Sequence, residues 1–421
     1  MTEISIKGAK KLSGEILLQG AKNSVLPVLA ATILCKGECT VHNCPTLSDV
    51  DTSLKILAKL GCKTKKEGNT VTVDSRQMNC CEIPENLMCE MRSSVVFLGA
   101  IISRCKSAVI SSPGGCELGP RPIDMHLSAL RQLGVIIREE HGFLYCDAEN
   151  GLKGCEITLG FPSVGATENI ILAAALAEGI TVIHNAAREP EISDLADFLN
   201  SAGARIYGSG SDTIYIHGVG SLSGTEHTII PDRIVAATYM ACAAATGGEI
   251  CIKGIMPSHM VAILSVFRES GCIIKPSGKT LVMTAPDKLI PVPTIRSLVY
   301  PAFPTDAGPV VIAMLTKASG TSVFCENIFE NRFRYIDELK RLGAKIKTEG
   351  KIAVIEGVKE LSGARCKATD LRGGAALVTA GLAAYGTTVV GEIKHIQRGY
   401  EDIVANLKNL GADIEYIEKT E

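Results

Sequence analysis

Apolar positions along this chain follow two alternating spacings. Ala-rich apolar runs such as IILAAALA (170–177), VVIAML (310–315) and ALVTAGLAA (376–384) predict helices. Each is followed by a glycine and a β-branched stretch with period-two alternation, as in GITVIHN, GTSVFCEN and GTTVVGE, which predicts a strand. A second, amphipathic helix then ends in a small pair: Leu60-Gly61-Cys62, Leu133-Gly134-Val135, Ala202-Gly203-Ala204, Ser270-Gly271-Cys272, Leu342-Gly343-Ala344 and Leu410-Gly411-Ala412. A glycine at that place stops a helix in the left-handed conformation and lets a strand begin at once. The strand continues into a hairpin, as in LGAKIKTEGKIAVIEG, with Glu349-Gly350 at its turn.

The six glycines recur about every 70 residues. The expected fold is therefore α/β, built from six βαβαββ units. A unit with two helices is larger than a solenoid repeat and half-builds its own core, so three units are expected to close around one core, giving two domains. The sixth unit lacks its last strand. IKGAKKLSG (6–14) resembles IEGVKELSG (355–363) and IHGVGSLSG (216–224), which join one unit to the next. Residues 1–21 are thus expected to complete unit six. The predicted domains are 22–230 and 1–21 with 231–421, joined by two chain crossings that would act as a hinge beside a ligand cleft.

Composition narrows the functional classes. The net charge of −2 gives no electrostatic basis for nucleic-acid binding, and the absence of Trp leaves few stacking platforms. No apolar run reaches the roughly 18 residues of a membrane span, and the first residues carry no secretory signal. The 16 cysteines form no C-x-x-C pair and fall mostly in apolar runs, where cysteine behaves as a small hydrophobe. A cytoplasmic protein with reduced thiols is expected.

The unusual polar residues fall at helix entrances. First helices begin at Lys22-Asn23, Arg92, SVGAT (163–167), Asp232-Arg233, Asp306 and Asp370-Leu371-Arg372; second helices begin at Arg121, Arg332 and Arg398. Helix N-termini bind anions through free N–H groups, and arginine adds two-pronged donation. Two such sets suggest a substrate with several negative charges. Plainer readings stand beside this one. Asp232 and Asp370 could be helix caps, Ser163 and Thr167 a capping pattern, and Arg332 and Arg398 surface arginines paired with nearby acids. Lys22-Asn23 is a costly choice for a cap. Cys116, in SSPGGCELGPRPID, follows two glycines and precedes Arg121. Such a thiol is accessible, and a neighbouring cation favours its thiolate.

The segments AKNSVLPVLAATIL, MRSSVVFLG, PGGCELGPRPIDMH, PSVGATENI, NAAREPEISDLADFL, PDRI, PAFPTD, IFENRF, ATDLR and IQRGYE occur in this order over the whole chain. As a set they resemble the UDP-N-acetylglucosamine 1-carboxyvinyltransferases, the enolpyruvyl transferases of peptidoglycan synthesis. The resemblance implies a two-domain inverse α/β barrel and transfer of enolpyruvyl from phosphoenolpyruvate to the 3′-hydroxyl of UDP-N-acetylglucosamine, with release of phosphate. It implies that Lys22, Arg121 and Arg398 hold phosphoenolpyruvate and that Asn23 contacts the reacting centre. Arg92, Arg121, Pro122, Ile123, Asp124, Met125, Phe161, Pro162, Ser163, Val164, Asp306 and Ile328 would line the UDP-sugar site. Cys116 would donate the proton and form the covalent adduct, also with a phosphonate epoxide, and Asp306 would take the hydroxyl proton. Arg332, Asp370 and Arg372 would belong to the closed cleft. No metal or organic cofactor is implied. Ser48, Val96 and Phe161 depart from the family's usual Lys, Trp and Lys, as does the continuation after Asp306. The shikimate-pathway enolpyruvyl transferase lacks the PGGC cysteine, and a non-catalytic relative would have lost Lys22, Cys116, Asp306 or Arg398.

Overall fold

The computed structural model describes residues 2–111 and 123–418, with Arg92 described by its backbone alone. The chain divides into two compact units, one formed by residues up to Gln19 and from Pro231 on, the other running from Gly20 to Ile230. Each has its own hydrophobic core.

Six helices take up the Ala-rich runs: α1 (Lys22–Ala31), α2 (Phe97–Cys105), α3 (Val164–Ala174), α4 (Arg233–Thr246), α5 (Gly308–Leu315) and α6 (Leu371–Ala383). In the Pro231 unit, α4, α5 and α6 pack against one another. Nearly all their residues are buried, as an all-round apolar helix requires. In the Gly20 unit, α2 packs against both α1 and α3. The amphipathic second helices of each repeat end as expected. Gly61, Gly134, Gly203, Gly271, Gly343 and Gly411 all have φ between +88° and +105°, a conformation that disfavours a side chain.

Each repeat supplies one four-stranded sheet of constant order. In the third repeat, Glu156–Thr158 runs parallel to Ile180–His184, which pairs antiparallel with Thr213–His217, itself paired with Arg205–Tyr207. The register places Ile157, Ile183 and Ile214 side by side, and all three are buried. The period-two alternation thus turns one face of each sheet onto the central helices.

The N-terminal strand Thr2–Lys7 pairs with Thr387–Gly391 and Asp413–Glu418 of repeat six. The rest of the expected 1–21 segment behaves differently. Ser13–Leu17 lies parallel to Glu249–Lys253 and is the edge strand of repeat four. Repeat one receives its edge strand from Glu226–Thr228, parallel to Glu38–His42. The cause is the chain path. A strand that precedes the passage at Gly20 stays with the unit being left, and so does the strand that precedes Pro231.

Helices α2 and α3 cross at Gly99. Its N–H donates to Asn169 Oδ1 at 2.7 Å, and an added Cβ would lie 2.3 Å from the Asn169 carbonyl oxygen. Gly99→Ala is expected to cost about 2 kcal/mol or more by forcing these helices apart. Urea unfolding of the variant and parent measures it, and an unchanged midpoint would contradict the close approach.

Candidate active site

Cys116, Arg121 and Pro122 lie outside the described residues, as does the side chain of Arg92. The other candidates divide between the two units: Lys22, Asn23, Ile123–Met125 and Phe161–Val164 belong to the Gly20 unit; Asp306, Ile328, Arg332, Asp370, Arg372 and Arg398 belong to the other.

In the Gly20 unit, α1 begins without a side-chain cap, and Lys22 occupies its first position. A cation there opposes the helix dipole. Its compensation is Asp49, buried in the first turn of the helix Ser48–Lys59, whose Oδ2 lies 2.7 Å from Lys22 Nζ. Asn23 is exposed beside it. The next residue, Ser24, donates a hydrogen bond to Asp194 Oδ2. Asp194 Oδ1 accepts from His227 Nε2 at 2.9 Å, and Oδ2 also accepts the Ile230 N–H at 3.4 Å. A single buried carboxylate therefore ties the Lys22-Asn23 turn to the strand that ends this unit.

The second anion-type entrance of this unit is α3. Ser163 caps it by accepting the Ala166 N–H at 3.4 Å. The Thr167 hydroxyl donates to the Ser163 carbonyl at 2.8 Å and accepts the Ala187 N–H at 3.0 Å. The capping reading of this pair is therefore correct, and it holds the turn leading to Glu189 and Glu191 against α3. Burial and the neighbouring Glu191 and Glu189 charges push the Glu168 carboxyl well above its ordinary value, toward its neutral form. Phe161 is 42% exposed, while Pro162, Ser163 and Val164 are half-buried. An added Cβ at Gly165 would meet His126 Cε1 at 3.0 Å, so this loop lies beside the helix Asp124–Gln132. Ile123 and Met125 are half-buried at that helix's start, and Asp124 is exposed.

His126 Nδ1 accepts from Asn169 Nδ2 at 2.9 Å, and Asn169 also donates to the Val95 carbonyl. Burial lowers the His126 pKa to about 4, against a smaller opposing effect from Asp124. The unfolded chain, near 6.5, then binds more protons, so this stabilisation is complete above pH 6.5 and is lost as pH falls to about 4. The loss amounts to about 3 kcal/mol. His126→Gln should flatten the fall in urea midpoint over this window relative to the parent. Parallel curves would contradict the buried neutral imidazole.

In the Pro231 unit the polar residues converge on the N-terminal ends of α4, α5 and α6. Asp232 caps α4 through the N–H groups of Ile234 and Val235, at 2.8 and 3.0 Å. Asp370 caps α6 through those of Arg372 and Gly373, both at 3.0 Å. The capping reading is thus correct for both aspartates. Asp306 lies in the short turn before α5 and meets two arginines: Oδ1 accepts from Arg332 at 2.9 Å, and Oδ2 lies 3.4 Å from Arg372 Nε and Nη2. Arg332 thus turns inward to Asp306, not outward to acids along its own segment, and is buried. Arg372 also donates to the Tyr400 hydroxyl at 3.2 Å, which contacts Thr238 Oγ1 at 2.8 Å. Burial alone would lower the Arg372 pKa, but Tyr400, Asp306 and Asp232 outweigh it and hold the guanidinium charged. Glu326 links Thr305, which donates at 2.8 Å, to the backbone N–H groups of Ile328 and Phe329. Arg398 is half-buried in the turn Ile393–Arg398, and Gln19 fastens the following residues by bonds to Gly399 O and the Glu401 N–H, both at 3.1 Å.

Asp49, Asp194, Glu326 and Tyr400 were absent from the sequence reading. Asp49 left a signal: with Ser53, Ile56, Leu57 and Leu60 it shares the buried stripe of its helix, and a carboxylate in such a stripe needs a partner. Among the described residues, no group of three or more His, Cys, Asp or Glu side chains is arranged to hold a metal ion, and no helix is long and apolar enough to cross a membrane.

This fold is shared with a solved enolpyruvyl transferase. The enolpyruvyl transferase NikO from Streptomyces tendae matches with a TM-score of 0.90 and 26% identity, covering 99% of each chain. The family described as EPSP synthase (3-phosphoshikimate 1-carboxyvinyltransferase) matches residues 6–416, and the chain belongs to it. UDP-N-acetylglucosamine 1-carboxyvinyltransferase 2 of Caldanaerobacter subterraneus subsp. tengcongensis is 52% identical over 98% of this chain and 99% of its own length. UDP-N-acetylglucosamine 1-carboxyvinyltransferase 1 of Carboxydothermus hydrogenoformans is 47% identical over 99% of both.

Proposed function

We propose that this protein transfers enolpyruvyl from phosphoenolpyruvate to the 3′-hydroxyl of UDP-N-acetylglucosamine, releasing phosphate, in the cytoplasm, as the committing step of peptidoglycan precursor synthesis. The observation that carries the reading is Asp306 held between Arg332 and Arg372. Two guanidinium groups orient this carboxylate at the entrance of α5, where charge-assisted hydrogen bonds fix its position for a substrate hydroxyl.

In the proposed chemistry, the methylene carbon of phosphoenolpyruvate takes a proton from Cys116, and C2 becomes electrophilic. The sugar hydroxyl oxygen bonds to C2 while its proton passes to Asp306. The C2–O bond to phosphate then breaks, its electron pair leaving with the phosphate, which takes the proton from Asp306, and the methyl group returns a proton to the Cys116 thiolate to restore the double bond. Lys22, Arg121 and Arg398 bind the phosphate and carboxylate, and Asn23 touches the reacting centre. Arg92, Arg121–Met125, Phe161–Val164, Asp306 and Ile328 line the UDP-sugar site, where exposed Phe161 offers a flat apolar face. Arg332, Asp370 and Arg372 complete the charged wall. Proton NMR of the product tests the reading: vinyl signals on a 3′-O-linked enolpyruvyl group are expected, and an unmodified 3′ position would overturn it.

The cysteine role makes a separate prediction. Burial raises the thiols of Cys62, Cys146 and Cys272 each to about 11, which keeps them protonated and slow at neutral pH. A phosphonate epoxide, an anion that resembles phosphoenolpyruvate and would be held by the same cations, should alkylate Cys116 first, faster with the UDP-sugar present and slower with excess phosphoenolpyruvate. Peptide mass mapping after brief exposure reads this out, and labelling spread over several cysteines would count against it.

A further inference from the structure

The Pro231 unit has a second polar feature at the opposite end of its central helices. A cavity of about 590 Å³ opens where α4 ends at Thr246, with Lys11, Lys288, Lys317 and Lys359 among its lining residues. Asp287 is the one acidic residue that lines it. The 14 residues of α4 separate this cavity from the Asp232 cap by about 21 Å at 1.5 Å per residue.

Lysines near helix C-termini often serve the helix itself, by binding its last carbonyls. Here other donors perform that service. The N–H groups of Gly247 and Gly248 take the Ala244 and Ala243 carbonyls of α4, and the Thr246 hydroxyl takes those of Cys242 and Ala243. Thr316, Lys317 and Ala318 N–H groups, with the Thr316 hydroxyl, take those of α5. Neither helix carries a basic residue in its own last turn. Lys11, Lys288 and Lys359 come instead from the segments GAKKL, PDKL and GVKEL, the equivalent joints of three repeats. Among the described residues their ammonium groups make no ion pair. Lys317 Nζ donates to the Lys359 carbonyl at 2.5 Å. Partial burial lowers the Lys317 pKa, with Glu360 opposing, so its charge is held at a cost that a bound anion would remove.

We propose that this cavity is a second anion-binding site, which takes a compact small molecule bearing a di- or triphosphate. Four lysines line the cavity against one lining aspartate, with Glu360 near Lys317, and this excess of positive charge selects charge density. The volume lies within the range of small-molecule pockets, about 300–1,000 Å³. A nucleic acid would require a continuous basic surface, which a chain of net charge −2 does not favour.

Inorganic tripolyphosphate is the probe. With the full-length protein, calorimetric titration should show saturable binding that survives in Lys22→Gln. The double variant Lys288→Gln/Lys317→Gln should weaken it about tenfold or more, as loss of charge-assisted contacts predicts. On the unmodified protein, limited acetylation with mass mapping should show tripolyphosphate protecting Lys288, Lys317 and Lys359 above other lysines. Absent saturable binding, binding lost in Lys22→Gln but kept in the double variant, or uniform protection of all lysines would overturn the assignment.

Discussion

Asp306→Asn is expected to lower kcat by at least ~10²-fold, the usual contribution of a positioned general base. The amide is nearly isosteric and keeps an oxygen for Arg332, which now lies 2.9 Å from Oδ1. It cannot take the hydroxyl proton. Arg372 gains freedom, because its 3.4 Å contacts with Oδ2 lose their charge. UDP-sugar binding should therefore persist while turnover falls. Steady-state rates together with calorimetric UDP-sugar binding separate the two. Turnover within a few-fold of the parent would reduce Asp306 to a ligand contact.

Asp194→Ala is expected to cost the Gly20 unit about 3 kcal/mol. The aspartate is 4% exposed and accepts hydrogen bonds from Ser24, His227 and Ile230. Removing it leaves the half-buried His227 imidazole, the buried Ser24 hydroxyl and the Ile230 amide without their acceptor at once, and losing one member of such a network costs several kcal/mol. Because Ser24 directly follows Lys22 and Asn23, the same variant should raise the KM for phosphoenolpyruvate. The measurement is urea unfolding with steady-state kinetics at the same pH. A shift below about 0.5 kcal/mol, typical of surface changes, would mean that the network is incidental.

The repeat was legible because its glycines are required by backbone geometry, and six left-handed positions at a fixed interval leave few alternatives. The destination of Ser13–Leu17 was not. The segments IKGAKKLSG and IHGVGSLSG are alike in pattern, and nothing local says which sheet edge the next strand joins. The two chain passages decide it. Among site residues, arginines and lysines stand out in a sequence because they sit where caps belong. Their partners stand out less: Asp49 is marked only by its place in the buried stripe of its helix, and Tyr400 reads as a core aromatic. Asp232 and Asp370 each cap a helix, which is the plainer of the two readings that the sequence offered for them.

The family described for 3-phosphoshikimate and the relatives named for UDP-N-acetylglucosamine share this fold, so the acceptor is the central claim. Phosphate release from phosphoenolpyruvate should be measured with UDP-N-acetylglucosamine, with shikimate 3-phosphate, and with neither. Release that requires UDP-N-acetylglucosamine and is absent with the other two is the predicted result. Release driven by shikimate 3-phosphate, or none under any condition, would contradict it.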